Sequence, residues 1–140
     1  MADTNHTQTD LNAFKKSGGK LITYQDWNET WVPPRTATTY YDSVVKTMGG
    51  ENKTRDFFRL FMIPDHGMCE AMFPGTFGAL EALQKWVEEG IAPDQITATY
   101  SRRGKVTKTR PVCTYPEVAI YTGSGDTNDA ANFKCGKPTW

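Results

Sequence analysis

Titratable side chains follow two apolar segments of the chain, at the points where each segment ends. Asp26 and Glu29 come soon after the segment 21–24, and Asp65, His66, Cys69 and Glu70 come soon after the segment 57–63. A carboxylate beside a histidine is the minimum for general acid–base chemistry, because the carboxylate fixes the imidazole tautomer and stabilises its protonated form. Most single histidines in loops are ordinary surface residues, so this pattern alone assigns no reaction.

The two apolar segments are predicted to be neighbouring parallel strands. Segment 21–24 is short and β-prone, and segment 57–63 is apolar except at Arg59 and ends at Pro64. Between them, apolar residues recur at three- and four-residue spacing before a glycine pair, which predicts a helix. These residues are Tyr41, Val44, Val45 and Met48, followed by Gly49 and Gly50. Ligands bind beyond the carboxyl ends of parallel strands, so the loops after both segments are the place for a site.

A second amphipathic helix and a β-hairpin are predicted further along the chain. Thr76 is a suitable N-cap for the helix, which is expected to end at Gly90. The apolar residues at helical spacing in this helix are Phe77, Leu80, Leu83 and Val87. The segments 96–100 and 105–110 predict the hairpin, and the rest of the chain is a turn-rich tail.

The whole pattern predicts a single α/β domain over residues 11–140, after a flexible segment over residues 1–10. The chain has 140 residues with 16 basic and 16 acidic side chains, so it lacks the basic excess that nucleic-acid binding requires. It also lacks an apolar run of about 20 residues for a membrane span, and its polar N-terminal segment is not a signal peptide. We therefore expect a cytoplasmic protein without nucleic-acid or membrane partners. No cysteine or histidine spacing indicates a metal site, and no cofactor is expected.

Several motifs between Gly18 and Cys135 match one enzyme family. They are GGKLITY at 18–24, VPP at 32–34, FFRLFMIP at 57–64, WVEEG at 86–90, TRPVCTYP at 109–116, YTGSGD at 121–126 and NDAANF at 128–133. With these motifs, the chain resembles the C-terminal part of the tannase and feruloyl esterase family. The resemblance implies a partial α/β-hydrolase-like sheet, with two βα units followed by the hairpin and the tail. It also implies that a typical member is more than twice as long, with its nucleophile in the N-terminal part.

The resemblance assigns positions to the family's catalytic residues. The acid position falls on Glu29, which keeps a carboxylate but is one methylene longer than aspartate. The histidine position falls on Met68, whose thioether cannot exchange a proton at neutral pH. His66 lies two residues earlier and is the histidine nearest to this position.

The chain has three cysteines, Cys69, Cys113 and Cys135. The resemblance implies a disulfide between Cys113 and Cys135 in an oxidising compartment, and it leaves Cys69 unpaired within the chain. A hydrolase of this class needs a serine nucleophile in a GxSxG elbow, and no such motif is present. The nearest sequence, around Ser124, lies in the turn-rich tail.

Three functions fit these residues. The first is a non-hydrolytic isomerase, cyclase or lyase, in which Glu29 and His66, supported by Asp65, exchange protons with a small-molecule ligand. The residues expected to bind this ligand are Asp26, Trp27, Trp31, Met68 and Phe73. The second is a non-catalytic binding or assembly module, and the third is one half of a split carboxylic ester hydrolase. We favour the first, because the catalytic positions are changed while the family motifs are kept.

A homo-oligomer is also expected. Two βα units leave a sheet edge and apolar surface uncovered, and a symmetric interface would cover both. Leu21, Val44 and Phe58 are the residues expected to take part in such an interface.

Overall fold

The computed structural model describes residues 7–64 and 75–138. Its elements follow in the order α1 (Asn12–Lys16), β1 (Leu21–Asp26), α2 (Pro34–Thr47), α3 (Glu51–Arg55), β2 (Phe58–Ile63), β3 (Gly75–Phe77), α4 (Ala79–Glu89), β4 (Gln95–Arg102), β5 (Lys105–Cys113), β6 (Val118–Tyr121), a 3-10 helix (Ala130–Asn132) and β7 (Phe133–Gly136). Within these two ranges, no helix is long and apolar enough to cross a membrane. In the same ranges, no group of three or more histidine, cysteine or acidic side chains is arranged to hold a metal ion.

β1 and β2 are parallel neighbours, and α2 lies between them in the sequence. They pair in register along the whole of both strands, starting with Leu21 opposite Phe58. α2 begins at Pro34, where the fixed φ of proline suits the first helical position. It ends before Gly49, whose φ of +85° a glycine adopts without strain. The predicted strand–helix–strand unit is confirmed.

β2 lies between the two hydrophobic cores of the molecule, and all six of its residues are buried. Side chains alternate along a strand, so the two faces of β2 contact different partners. One face packs with α2, in a cluster that contains Tyr41, Val44, Met48, Phe58, Leu60 and Met62. The other face packs with β4 and β5, in a cluster that contains Phe61, Ile63, Ile96, Ala98 and Val112. Burial of a large apolar side chain contributes about 1.5–3 kcal/mol, so this strand anchors the fold.

The second half of the chain forms two antiparallel sheets. β3, β4 and β5 form one sheet in that order, and β6 and β7 form the other. The predicted hairpin is confirmed as β4 and β5, which are longer than the pattern indicates. The segment after β5 joins these strands to β2, because the backbone N–H of Tyr115 donates to the carbonyl of Leu60 at 2.8 Å.

The predicted face of α4 is wrong. Leu80 and Val87 are 74% and 62% exposed, whereas Trp86 is the buried residue of the helix. The Trp86 ring lies under two cations, with Lys20 Nζ at 5.2 Å and the Arg59 guanidinium at 5.4 Å from its centroid. These contacts turn the helix so that part of its apolar arc faces solvent. The predicted N-cap is also wrong, because Thr76 belongs to β3 and Gly78 precedes the helix.

A cluster of charged residues holds α3 against β2 and the segment before β4. Both Arg55 and Arg59 form ion pairs with Asp94, and Arg59 is buried although it lies within an apolar strand. Arg55 also donates to Thr114 Oγ1 at 2.9 Å. The hydrogen bond from Arg59 holds the pKa of Asp94 below its ordinary value, which shows that the ionised pair is favoured in the fold.

The N-terminal residues that the structure describes contact α2. The hydroxyl of Tyr40 donates to the carbonyl of Gln8 at 2.9 Å, and the hydroxyl groups of Thr47 and Thr9 are 3.0 Å apart. Gln8 and Thr9, which belong to the segment expected to be flexible, therefore contact α2.

Two of the three residues expected at a homo-oligomer interface are not at the surface, and the third, Leu21, is half-buried. Val44 is fully buried within the core of the chain, and Phe58 is almost fully buried there. They cannot form an interface while the fold is intact, because both already pack inside the chain. The homo-oligomer itself stays a prediction.

Candidate functional site

Glu29 lies in the turn that follows β1 and is only 6% exposed. The strand pairing continues one residue beyond β1, because the N–H of Trp27 donates to the carbonyl of Ile63 at 3.0 Å. The chain then turns, and the N–H of Glu29 donates to the carbonyl of Asp26 at 3.4 Å. The N–H of Trp31 donates to Oε1 of Glu29 at 2.8 Å. The carboxylate is therefore held in place at the carboxyl end of the sheet.

The second half of the predicted site lies outside the described residues. This applies to the residues expected as catalytic or binding groups after β2, which are Asp65, His66, Met68 and Phe73, and also to Cys69. Of the predicted site residues, the structure describes Asp26, Trp27, Glu29 and Trp31, all from the end of β1 and the turn after it. The approach of Glu29 and His66 stays a prediction.

A cavity of about 510 Å³ lies beside the carboxyl ends of β1 and β2. Trp27 and Pro64 line it from these strand ends, and Arg110, Tyr115 and Phe133 line it from β5 to β7. The walls are mostly apolar. Trp27 is the predicted ligand-binding residue that lines this cavity in the described part of the chain.

The other predicted binding residues from this turn do not line the cavity. Trp31 is 77% exposed, and neither Asp26 nor Glu29 contributes to the cavity wall. Glu29 is two residues from Trp27, so its carboxylate belongs to the same turn as the cavity edge.

Arg110 and Phe133 are cavity residues that sequence reasoning missed. The Arg110 guanidinium carbon lies 3.9 Å from the centroid of the Phe133 ring, which is cation–π stacking distance. The residues lie in β5 and β7, and the disulfide between Cys113 and Cys135 joins the same two strands, with 5.7 Å between their Cα atoms. This disulfide is the pairing that the resemblance implies. The pairing of these two cysteines is also the feature of the sequence that could have indicated that Arg110 lies near Phe133.

The Tyr115 hydroxyl is a further polar group of the cavity wall, and a residue of α2 holds it. The Tyr115 hydroxyl hydrogen-bonds to Oδ2 of Asp42 at 3.3 Å. Burial raises the pKa of the Tyr115 phenol, and the charge of Asp42 adds to the effect. Tyr115 is therefore a neutral wall residue at physiological pH.

The family of the chain follows from a comparison with known proteins. The model of the family described as tannase and feruloyl esterase matches residues 1–136. The chain belongs to this family. It is 39% identical to an uncharacterized esterase of Xanthomonas campestris pv. campestris, over 92% of this chain and 28% of that protein. It is 42% identical to the mono(2-hydroxyethyl) terephthalate hydrolase of Piscinibacter sakaiensis, over 94% of this chain and 22% of that protein.

Solved structures agree with the family and the fold. The crystal structure of feruloyl esterase B from Aspergillus oryzae superposes with a TM-score of 0.82 at 28% identity, over 92% of this chain and 29% of that one. The chain thus spans about a quarter of the length of the relatives that it matches. The α/β fold expected from the sequence is confirmed.

The family settles the reaction class only in general terms. Its members in these comparisons are esterases and other hydrolases, so the family is one of ester hydrolysis. Neither the relatives nor the structure supports an isomerase, cyclase or lyase, which the carboxylate and histidine pattern favoured. Half of a hydrolase, the third function considered above, is compatible with both.

Proposed function

We propose that this chain is the C-terminal part of a carboxylic ester hydrolase, in which Glu29 is the acid residue of the catalytic triad. The position of Glu29 carries this proposal. A triad acid must hold the imidazole in one orientation and stabilise its protonated form, which requires a fixed carboxylate shielded from water. The carboxylate of Glu29 is buried, and the N–H of Trp31 holds one of its oxygens. It follows a parallel strand, where α/β enzymes place functional groups.

The other parts of the triad come from two places in this proposal. The serine and the donors that stabilise the oxyanion belong to polypeptide beyond these residues, since no GxSxG elbow occurs among them. His66 takes the proton from that serine, because Met68, at the family's histidine position, has no exchangeable proton.

The test is a chimeric enzyme. This chain replaces the matching part of the Xanthomonas campestris esterase, and the hydrolysis of 4-nitrophenyl acetate is measured. We expect Glu29→Gln to lower kcat by roughly 10³–10⁴-fold, because an amide cannot stabilise the imidazolium. Glu29→Asp should keep most of the activity. Glu88→Gln, which also neutralises a glutamate but lies on the exposed face of α4, is the matched control and should leave kcat unchanged.

Two results would count against this assignment. One is full activity of the Glu29→Gln chimera while it melts like the parent. The other is turnover by the 140 residues alone, which would require a nucleophile within them.

The histidine is tested in the same chimera. His66→Ala should abolish activity if His66 is the base, and Met68→His should raise kcat by about 100-fold because it restores a base at the family position. In the Met68→His background, the His66→Ala change should then have little effect. Unchanged activity of the His66→Ala chimera in the parent background would exclude His66 as the base.

A further inference from the structure

We propose that one face of the hairpin formed by β4 and β5 binds a linear polysaccharide that carries carboxylate groups. The residues assigned to this contact, which we term the hairpin cations, are Arg102, Arg103, Lys105 and Lys108. None of them lines the cavity described above, so the contact is a separate surface for a polymer. The proposal goes beyond ester hydrolysis and does not depend on it.

The hairpin separates positive charge from negative charge along the chain. The whole sequence has 16 basic and 16 acidic side chains, yet residues 95–116 contain five basic residues and no acidic one. Four of these five are the hairpin cations, and the fifth, Arg110, lines the cavity. Clustered charges of one sign create a local field, which attracts polymers of the opposite sign even when the whole chain is neutral.

Three of the hairpin cations share one face of the strand pair. Residues directly opposite each other in an antiparallel pair lie on the same face, and so do residues two apart on one strand. Lys108 is opposite Tyr100, and Lys105 is opposite Arg102. Tyr100 and Arg102 are two apart on β4, so all four side chains lie on one face. The ammonium group of Lys108 lies 5.0 Å from the centroid of the Tyr100 ring, which agrees with this placement.

This shared face depends on a bulge in β5. The ladder changes register next to Tyr100, and one residue of β5 is left out of the pairing there. In a regular ladder the residue opposite Arg102 would be Val106, and Lys105 would lie on the other face. The bulge exchanges the two, so Lys105 joins the other cations and Val106 lies on the opposite face, where it is 55% exposed. Bulges commonly redirect a side chain in this way.

The cations at the tip of the hairpin are open to an anion from solution. Arg102, Arg103 and Lys105 are exposed, and none of them forms an ion pair within the described part of the chain. The tail segment that hydrogen-bonds to β5 contains two acidic residues, Asp126 and Asp129. Their carboxylates accept N–H groups of their own turn, at 2.8 and 2.9 Å.

The turn of the hairpin holds an arginine in a conformation that does not favour it. Arg103 has a φ of +51°, and Gly104 has a φ of +75°. A two-residue turn with both φ values positive favours asparagine or aspartate before glycine, because most other side chains are strained in the left-handed region. The turn geometry therefore gives no reason for an arginine at this position, whereas a surface that binds anions does.

A carboxylated polysaccharide fits this face better than other polyanions. A single-stranded nucleic acid stacks its bases on open aromatic rings, but Lys108 covers the ring of Tyr100. An anionic membrane takes up apolar side chains beside the cations, but Val106 lies on the opposite face. A strand presents the side chains of one face about every 7 Å, so several cations can each pair with a carboxylate of one extended polymer.

The experiment compares two polysaccharides that differ in charge. Alginate, a linear polymer of uronic acids, and dextran, which is neutral, are immobilised, and binding of the 140-residue chain is measured by surface plasmon resonance. At about 20 mM salt we expect saturable binding to alginate and none to dextran. At about 500 mM salt the binding to alginate should be at least about 10-fold weaker, because exposed charge pairs are screened.

A pair of double variants tests the residues. Arg102→Gln/Lys105→Gln should weaken the binding of alginate by about 5- to 10-fold, because it removes two exposed cations from the face. Arg35→Gln/Lys46→Gln, which removes an exposed arginine and an exposed lysine from α2, is the matched control and should change the affinity by less than about 2-fold.

Two further variants test the geometry of the hairpin. Lys105→Val/Val106→Lys keeps the composition and the net charge but moves one cation to the opposite face. It should weaken the binding of alginate as much as Lys105→Gln does. Arg103→Asn should weaken the binding and raise the melting temperature, because asparagine suits the turn.

The proposal is overturned if alginate and dextran bind equally, or if alginate shows no saturable binding at low salt. It is also overturned if the folded Lys105→Val/Val106→Lys variant binds alginate as the parent does, since net charge alone would then explain the binding. Tighter binding to phosphatidylglycerol vesicles or to polydeoxythymidine than to alginate would assign the face to a membrane or a nucleic acid instead. The chimeric enzyme plays no part in these measurements, so this proposal and the proposed hydrolysis fail separately.

Discussion

Removal of the disulfide between Cys113 and Cys135 should lower the free energy of unfolding by about 3 kcal/mol. The bond joins residues 22 apart in the sequence. A cross-link of this span removes about 11 cal/mol/K of chain entropy from the unfolded state, which corresponds to about 3 kcal/mol at 25 °C. For a domain of this length, that loss lowers the melting temperature by roughly 10 °C.

Other contacts keep the tail in place when the bond is absent. The N–H of Thr109 donates to the carbonyl of Asn128 at 2.8 Å, and the N–H of Ala130 donates to Oγ1 of Thr109 at 2.9 Å. The variant should therefore stay folded at room temperature, with a lower melting temperature and unchanged circular dichroism.

The assay is thermal unfolding of the Cys113→Ser/Cys135→Ser double variant beside the parent chain, both carrying Cys69→Ser so that no other thiol reacts. A reductant should lower the melting temperature of the parent to that of the double variant and leave the double variant unchanged. A double variant that melts within about 2 °C of the oxidised parent would refute the reasoning, since the entropy effect would then be absent.

Two further predictions concern a buried arginine and a buried hydroxyl. Asp94→Asn should cost roughly 1 kcal/mol, more than the control Asp56→Asn at a similarly exposed carboxylate, because it leaves buried Arg59 without its anion. Since Arg59 lowers the pKa of Asp94, this difference in urea unfolding should be present at neutral pH and disappear as the pH falls below about 4. Tyr41→Phe should be neutral or stabilise by about 1 kcal/mol, because the buried hydroxyl has no hydrogen-bond partner among the described residues. Burial raises the pKa of Tyr41 to about 12, so the parent should lose stability between about pH 10 and pH 12 in the same unfolding assay, and the variant should lose less.

The elements that the sequence predicts correctly carry their own periodicity and end signals. α2 has apolar residues at helical spacing, a proline at its first position and a glycine after its end, and all three act locally. β1 and β2 are short apolar runs bounded by glycine or proline. In contrast, α3 has only polar residues from Glu51 to Arg55, and contacts with Asp94 and Thr114 hold it in place. No local pattern could reveal those contacts, because they join residues about 40 to 60 positions apart.

The orientation of α4 also depends on contacts with residues that are distant in the sequence. Its sequence offers a wide apolar arc, and spacing alone places Leu80 and Val87 at the centre of that arc. The fold selects Trp86 instead, because cations on β2 and before β1 contact the faces of its ring. Cation–π contacts have no sequence signature, since they depend on which strand the helix meets.

The candidate site also combines residues that the local sequence predicts with residues that only the fold brings together. Glu29 and Trp27 follow directly from the end of a strand, so the sequence places them. Arg110 and Phe133 are 23 positions apart and meet only when β7 lies beside β5. The family motifs contain both residues, and the pairing of Cys113 with Cys135 is the signal that their strands lie side by side.

The regular geometry of β1 has a practical consequence for handling the isolated chain. Among the described residues, β1 pairs only with β2, which leaves its other side open. Soluble proteins usually protect such a strand with a proline, a bulge or a charged side chain, and in β1 the last residue, Asp26, is the charged one. Tyr24 adds an exposed ring to this surface. The strand can therefore template pairing between molecules during concentration and storage, and Thr23→Lys would place a charge where such aggregates begin to grow.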